Sequence, residues 1–203
     1  MVGRIDIVMG PMYSGKSTYL INEGLRKRSV LANKEKVLII NSALDSRCDD
    51  EIKSHNKIKI PACKAKALEE LYNNDEYINA KMVLIDEGQF FPDLYEFTIK
   101  SCYENNKHVI IASLDGDYKQ QPFGQVLSLI PHADTVKKMT AYCMECADAK
   151  TPAPFTKRIA NDNSVILVGA CESYISVCRR HLLGERATQL RSAPPNPPSG
   201  ASQ

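Results

Sequence analysis

No apolar run in this sequence is long enough to span a bilayer, and nothing at its start reads as a leader. Neither membrane insertion nor export is expected, which points to a cytoplasmic, reduced protein. Charge of one sign is not in excess either: 26 Lys and Arg stand against 24 Asp and Glu, a net charge of +2. With no interleaving of aromatic and basic residues, that balance argues against nucleic acid or an anionic membrane as a partner. The guanine-recognition pattern N-K-x-D is also missing. Asn33-Lys34-Glu35-Lys36 ends on lysine, which argues against a GTPase. In a reduced compartment the seven cysteines suggest metal before disulfides wherever they come in pairs.

At 203 residues, 43% hydrophobic and 25% charged, the chain is long enough for one sizeable core and a small appendage. Its most informative stretch is Gly10-Pro11-Met12-Tyr13-Ser14-Gly15-Lys16-Ser17, which fits the phosphate-cradling pattern G-x-x-x-x-G-K-[ST]. An apolar run (Ile5, Ile7, Val8, Met9) precedes it as a strand. A helical pattern follows, with apolar positions at Leu20, Ile21, Leu25 and Val30. In that context the loop N–H groups and the helix N-terminus would face phosphates. Lys16 would reach the β- and γ-phosphates, and Ser17 would ligate Mg²⁺.

Further short apolar runs follow at 36–41, 81–86 and 108–114, each read as a buried strand. Between them, 68–72, 94–103 and 126–130 have helical spacing, the last stopping before Pro131. Strands alternating with helices predict an α/β fold, a P-loop NTPase-like parallel sheet flanked by helices, with ligands at the strands' carboxyl ends. From Thr140 the character changes, with two cysteine-led pairs around strand-like runs at 165–168 and 174–177. The expected division is a nucleotide-binding domain over 1–139, a small zinc-binding domain over 140–191, and a disordered Pro/Ser-rich tail over 192–203.

Asp86-Glu87 closes the third apolar run. Asp86 suits Mg²⁺, and Glu87 adds a second carboxylate that could orient an acceptor hydroxyl and take its proton. The ordinary alternative is a helix cap and a solvated glutamate. Of the two aromatics that follow, Phe90 is the candidate for a base pocket and Phe91 for packing. Cys143-x-x-Cys146 and Cys178-x-x-His181 form two knuckles suited to a closed, tetrahedral, structural zinc site. Cys48, Cys63, Cys102 and Cys171 are expected to be packing or surface thiols. No role is expected of His55, His108 or His132, and Arg26-Lys27-Arg28 reads as a solvated helix face.

Taken together, GPMYSGKS (10–17), DEGQFFPD (86–93), LDGDYKQQPFG (114–124), CMEC (143–146) and YISVCRRH (174–181) resemble the type II, cytosolic thymidine kinase family. The resemblance implies ATP-dependent phosphorylation of the 5′-hydroxyl of thymidine, and of deoxyuridine, in nucleotide salvage. It implies that Glu87 is the general base. It places ATP against Gly10, Pro11, Met12, Tyr13, Ser14, Gly15, Lys16 and Ser17, against Asp45, Ser46 and Arg47, and against Asp86, Gly88 and Gln89. Thymidine would meet Met12, Phe90, Leu114, Tyr118, Phe123, Thr156 and Tyr174. It would also meet Val165, Ile166, Leu167, Val168 and Gly169, which lie on a lasso loop held between the zinc knuckles and binding the base through its main chain. A homotetramer and feedback inhibition by thymidine triphosphate are likewise implied. The chain departs from many members at Tyr118, where Phe is frequent, and at His181, where Cys is frequent. A small insertion at 150–154 and Cys171 beside the base-binding stretch are further departures. A different reading of the residues alone, an ATPase with a zinc ribbon that binds nucleic acid or protein, is disfavoured by the low net charge.

Overall fold

The computed structural model describes residues 2–30, 37–44, 51–53, 59–159 and 173–184. Strands β1 (Arg4–Met9), β2 (Val37–Ser42), β5 (Cys63–Ala65), β6 (Met82–Ile85), β7 (His108–Ser113) and β8 (Thr135–Lys138) form one sheet in the order β5-β2-β6-β7-β1-β8. Every pairing in it is parallel. The sheet covers the expected runs to within a residue or so at each end.

Such a sheet must be covered on both faces, and alternation along its strands supplies two cores. Ile5, Ile7, Leu38, Ile40, Val83, Ile85, Val109 and Ile111 face one way. They pack against Leu94 and Phe97 of helix α3 (Leu94–Ile99) and against Tyr77 of helix α2 (Asp75–Asn79). Val37, Ile39, Met82, Leu84, Ile110 and Ala112 face the other way, onto Leu20 and Ile21 of helix α1 (Lys16–Val30). That second core is closed by Ile52 and Ile60, from the antiparallel pair β3 (Glu51–Lys53) and β4 (Lys59–Pro61).

Helix α1 departs from its expected apolar face. Leu25 is 48% exposed and Val30 84% exposed, whereas Lys16, Leu20, Ile21 and Gly24 are buried. At 100° per residue, Gly24 lies near the centre of the face set by 16, 20 and 21, and Leu25 falls about 100° round from it. A Cβ at Gly24 would come within 3.1 Å of Leu84 Cδ2, so the glycine is what lets the helix lie close on the sheet.

Two further helical segments differ from expectation. The segment at 94–103 is α-helical only to Ile99, then widens into a π-turn over Lys100–Glu104 that delivers the chain to β7. Pro131 does not stop the segment before it, which runs on as a 3₁₀ helix over Val126–His132. Its turns close through Ser128 N–H to Gln125 and Ala133 N–H to Ile130, so the missing proline N–H is not required.

Beyond β8, strands β9 (Ala141–Tyr142) and β10 (Pro152–Ala153) pair antiparallel, as do β11 (Phe155–Arg158) and β12 (Tyr174–Val177). Helix α4 (Arg179–Leu183) follows. Ala141, Cys143, Ala153, Val177 and Cys178 make a third small core. The expected strand at 165–168 and the tail at 192–203 lie outside the described residues. Among the described residues no helix is long and apolar enough to cross a membrane.

The amino-terminal end of the sheet carries a polar cluster, and His108 has a partner there. Asp6 Oδ2 lies 2.6 Å from His108 Nε2, while Arg4 and the Thr135 hydroxyl also donate to the Asp6 carboxylate. Burial pushes the His108 imidazole below its ordinary value, against the opposing pull of Asp6; Lys27 and Arg4 push the same way as burial. Burial alone would raise Asp6, but its hydrogen bonds from Arg4, Thr135 and His108 outweigh that and leave it lowered. A folded-state imidazole of lowered pKa binds its proton less readily than the unfolded chain does. Its contribution is therefore lost as pH falls through about 6.5, and that of Asp6 only as pH falls below about 3.9. The melting temperature should fall between pH 7.5 and 5.5, and His108→Gln should flatten that slope relative to the parent chain in a pH series of thermal melts.

Candidate functional site

Because the sheet is parallel, the loops after β1, β2, β6, β7 and β8 leave along one edge. Residues 10–17 follow β1. Gly10 is pressed against the chain leaving β8: a Cβ there would lie 2.4 Å from Met139 O, while Met139 N–H donates to Met9 O at 2.8 Å. Tyr13 has a positive φ of 64°, uncommon for a side chain of this size. Within the loop, Pro11 O accepts from both Ser14 Oγ and Lys16 Nζ at 2.8 Å, and Lys16 is buried. The loop is also tied across the chain. Met12 N–H donates to Thr156 Oγ1 at 3.0 Å and Tyr13 Oη to Tyr174 O at 3.2 Å, which brings β11 and β12 against it.

Asp86 follows β6 and is 2% exposed, its N–H donating to Ile40 O at 2.9 Å. Glu87 takes left-handed backbone angles, φ 52° and ψ 42°, and leads into a 3₁₀ turn over Gly88–Phe90. Such a conformation costs on the order of 1–3 kcal/mol for a non-glycine residue and persists only where its surroundings enforce it. Phe90 N–H closes the turn on Glu87 O, and Gln89 Nε2 donates to Glu87 Oε2 at 2.6 Å.

The loop 114–124 follows β7. Asp117 Oδ1 accepts from the N–H groups of Lys119 and Gln121, which folds the loop back on itself. Phe123 meets Phe90 edge-on at 5.7 Å between centroids. Tyr118 faces the Arg158 guanidinium at 4.0 Å, and the same guanidinium lies 4.9 Å from the Tyr174 ring and hydrogen-bonds its hydroxyl. Three separate contacts thus tie these residues: Met12 to Thr156, Phe90 to Phe123, and Tyr118 to Tyr174 through Arg158. Arg158 went unassigned by sequence reasoning, since in a run of basic residues nothing distinguishes a stacked arginine from a solvated one. His132 also has partners, the hydroxyls of Tyr95 and Tyr103 at 3.1 and 2.9 Å. Asp45, Ser46 and Arg47 lie outside the described residues, as do Val165, Ile166, Leu167, Val168 and Gly169.

Cys143, Cys146, Cys178 and His181 converge with their ligand atoms within 4.8 Å of one another. His181 Nδ1 is 3.3, 3.4 and 3.5 Å from the three sulfurs, and the sulfurs of Cys146 and Cys178 are 4.0 Å apart. Zinc bonds of about 2.3 Å to sulfur and 2.0–2.1 Å to nitrogen set tetrahedral edges of roughly 3.5–3.8 Å, so this donor set fits a structural zinc ion. Burial would raise the Cys143 thiol, but the Cys178 N–H and the neighbouring ligands bring it down to about 6, favouring the thiolate a metal needs. Asp148 shapes the turn after the first knuckle by accepting from the Thr151 and Lys150 N–H groups.

A parallel sheet whose first strand ends in a glycine-bracketed lysine loop, with buried Asp86 and half-buried Glu87 two strands away, is an α/β arrangement suited to holding phosphates. The chain belongs to the thymidine kinase family, whose pattern matches residues 3–182. It is 44% identical to a thymidine kinase of Yaba monkey tumor virus over 177 residues, covering 87% of this chain and 93% of the relative. It is 37% identical to the cytosolic thymidine kinase of Gallus gallus over 203 residues, covering 99% of this chain and 87% of the relative. To the cytosolic thymidine kinase of Homo sapiens it is 38% identical over 177 residues, 87% of this chain and 72% of that one. Membership makes it a kinase with a nucleoside substrate.

If the four ligands hold zinc, metal analysis should find one zinc per chain. Removal by a strong chelator should lower the melting temperature by several degrees, with recovery when zinc is restored. An unchanged melt after complete chelation would mean that the four side chains do not form a structural metal site.

Proposed function

We propose that this protein transfers the γ-phosphate of ATP to the 5′-hydroxyl of thymidine, giving thymidine monophosphate for nucleotide salvage. Deoxyuridine, which lacks only the 5-methyl group, is proposed as a weaker acceptor. The observation that carries the reading is the Glu87 carboxylate, fixed at the carboxyl end of β6 in a strained backbone conformation beside the acceptor-side loop 114–124. Family membership supports the substrate class.

In this reading residues 10–17 are the P-loop. Their N–H groups and Lys16 cradle the β- and γ-phosphates, with Asp45, Ser46, Arg47, Asp86 and Gly88 completing the donor site. Ser17 and the buried carboxylate of Asp86 are hard oxygen donors suited to Mg²⁺, which supplies charge neutralisation on the phosphates when bound. Thymidine lies between Met12, Phe90, Leu114, Tyr118, Phe123, Thr156 and Tyr174. The bulky side chains on this edge, Phe90, Phe123 and Tyr118 among them, favour a pyrimidine over a purine in this reading.

The bond between the γ-phosphorus and the bridging oxygen of ADP breaks as a bond forms from the 5′-oxygen to the same phosphorus. The hydroxyl proton passes to Glu87. Since the transition state is loose, holding the hydroxyl in line contributes more than taking its proton. The division into domains over 1–139 and 140–191, the homotetramer, cytosolic localisation and feedback by thymidine triphosphate belong to the same proposal. They rest on the resemblance to the cytosolic relatives.

Offered a panel of nucleosides with ATP and Mg²⁺, the zinc-loaded protein should convert thymidine, and deoxyuridine less well, leaving purine nucleosides untouched. Product no higher than in a protein-free control would overturn the reading. Glu87→Gln should lower kcat by about 10² or more while ATP still binds. Near-parent turnover in that variant would remove Glu87 from the role of base.

A further inference from the structure

Gln89 is 4% exposed, and its amide is committed inside the protein. Gln89 Oε1 accepts from the Leu114 N–H at 2.9 Å and lies 3.1 Å from Ser113 Oγ. A backbone N–H can only donate, so the amide atom facing Leu114 must be the oxygen. The NH₂ end is therefore the one that donates to Glu87 Oε2 at 2.6 Å. Amide orientation is often a choice between two fits; here the main chain at the end of β7 leaves one.

Leu114 opens the loop that carries Tyr118 and Phe123, and Phe90, next in sequence to Gln89, packs edge-on against Phe123. One side chain thus joins the start of the acceptor-side loop to the carboxylate. Gln89 meets the Glu87 side chain from within the turn that Glu87 begins.

We propose that Gln89 is a positioning residue for Glu87: its amide, oriented by the Leu114 N–H, holds the carboxylate towards the acceptor hydroxyl and couples its position to the loop 114–124. The proposal rests on Glu87 being the base. It assigns Gln89 to the base, whereas the family resemblance groups it with the ATP site.

The test is a double-variant cycle read by steady-state kinetics on the zinc-loaded protein, combining Gln89→Met, of similar length and without the amide, with Glu87→Gln. Alone, Gln89→Met should lower kcat about tenfold or more, with KM for ATP and for thymidine within about threefold of the parent. In the Glu87→Gln background it should cost less than about twofold further, because the group it positions is gone. If the two losses multiply, Gln89 acts through general packing and the proposal is overturned. A rise in KM for ATP at unchanged kcat would also overturn it, by placing the side chain on the donor. Should Gln89→Met fail to fold, Gln89→Asn retains the amide but is one methylene too short to span Leu114 and Glu87, and the same loss confined to kcat is expected. Parent-like kcat in that folded variant would overturn the proposal. Failure of the underlying reading is distinct, since Glu87→Gln measured alone would then be active.

Discussion

A parallel sheet buried on both faces can carry polar chemistry only where its strands end, and that constraint arranges the rest of this molecule. Each central strand is apolar on both faces, so no functional side chain can project from the middle of β2, β6 or β7 without entering a core. The chain instead places its polar side chains at the two edges. At one edge the ends of β1, β6 and β7 release a glycine-bracketed loop, an acidic pair and an aromatic loop in adjacent positions. At the other, Arg4, Asp6, His108 and Thr135 satisfy one another.

The four central strands were legible in the sequence because burial on both faces leaves a short apolar run, whereas the edge strands β5 and β8, the latter exposed along its length, carry no such mark. The helices were less so. Leu25 and Val30 extend an apparently apolar face of α1, yet the buried position is Gly24, where the absence of a side chain decides the contact. The Pro131 segment was misjudged because the rule that proline ends a helix holds for α-helical hydrogen bonding, and this segment is wound more tightly.

The site divides in the same way. The lysine loop, Asp86-Glu87 and the two knuckles have fixed local spacings, so a linear reading reaches them. Arg158 gains its meaning from Tyr174 and Tyr118, 16 and 40 residues away, and no local pattern marks it; the motif containing Gln89 does not disclose that its amide turns inward to Leu114. His108 and His132 are similar: each ring is satisfied by side chains from other elements, and an isolated histidine in a sequence does not disclose that. The strained backbone at Glu87 was also hidden, since glutamate is not a residue whose presence suggests left-handed angles.

The hydrogen bond from the Met12 N–H to Thr156 Oγ1 has a thermodynamic consequence. It joins a loop near the start of the chain to a strand 144 residues later, and Tyr13 to Tyr174 repeats the link on the neighbouring strand. Loop and hairpin therefore share a free-energy term. Any ligand that orders one lowers the entropy cost of ordering the other, and the effect is reciprocal and equal in both directions. Were ligands to sit on both sides of this edge, the affinity of each would depend on the other.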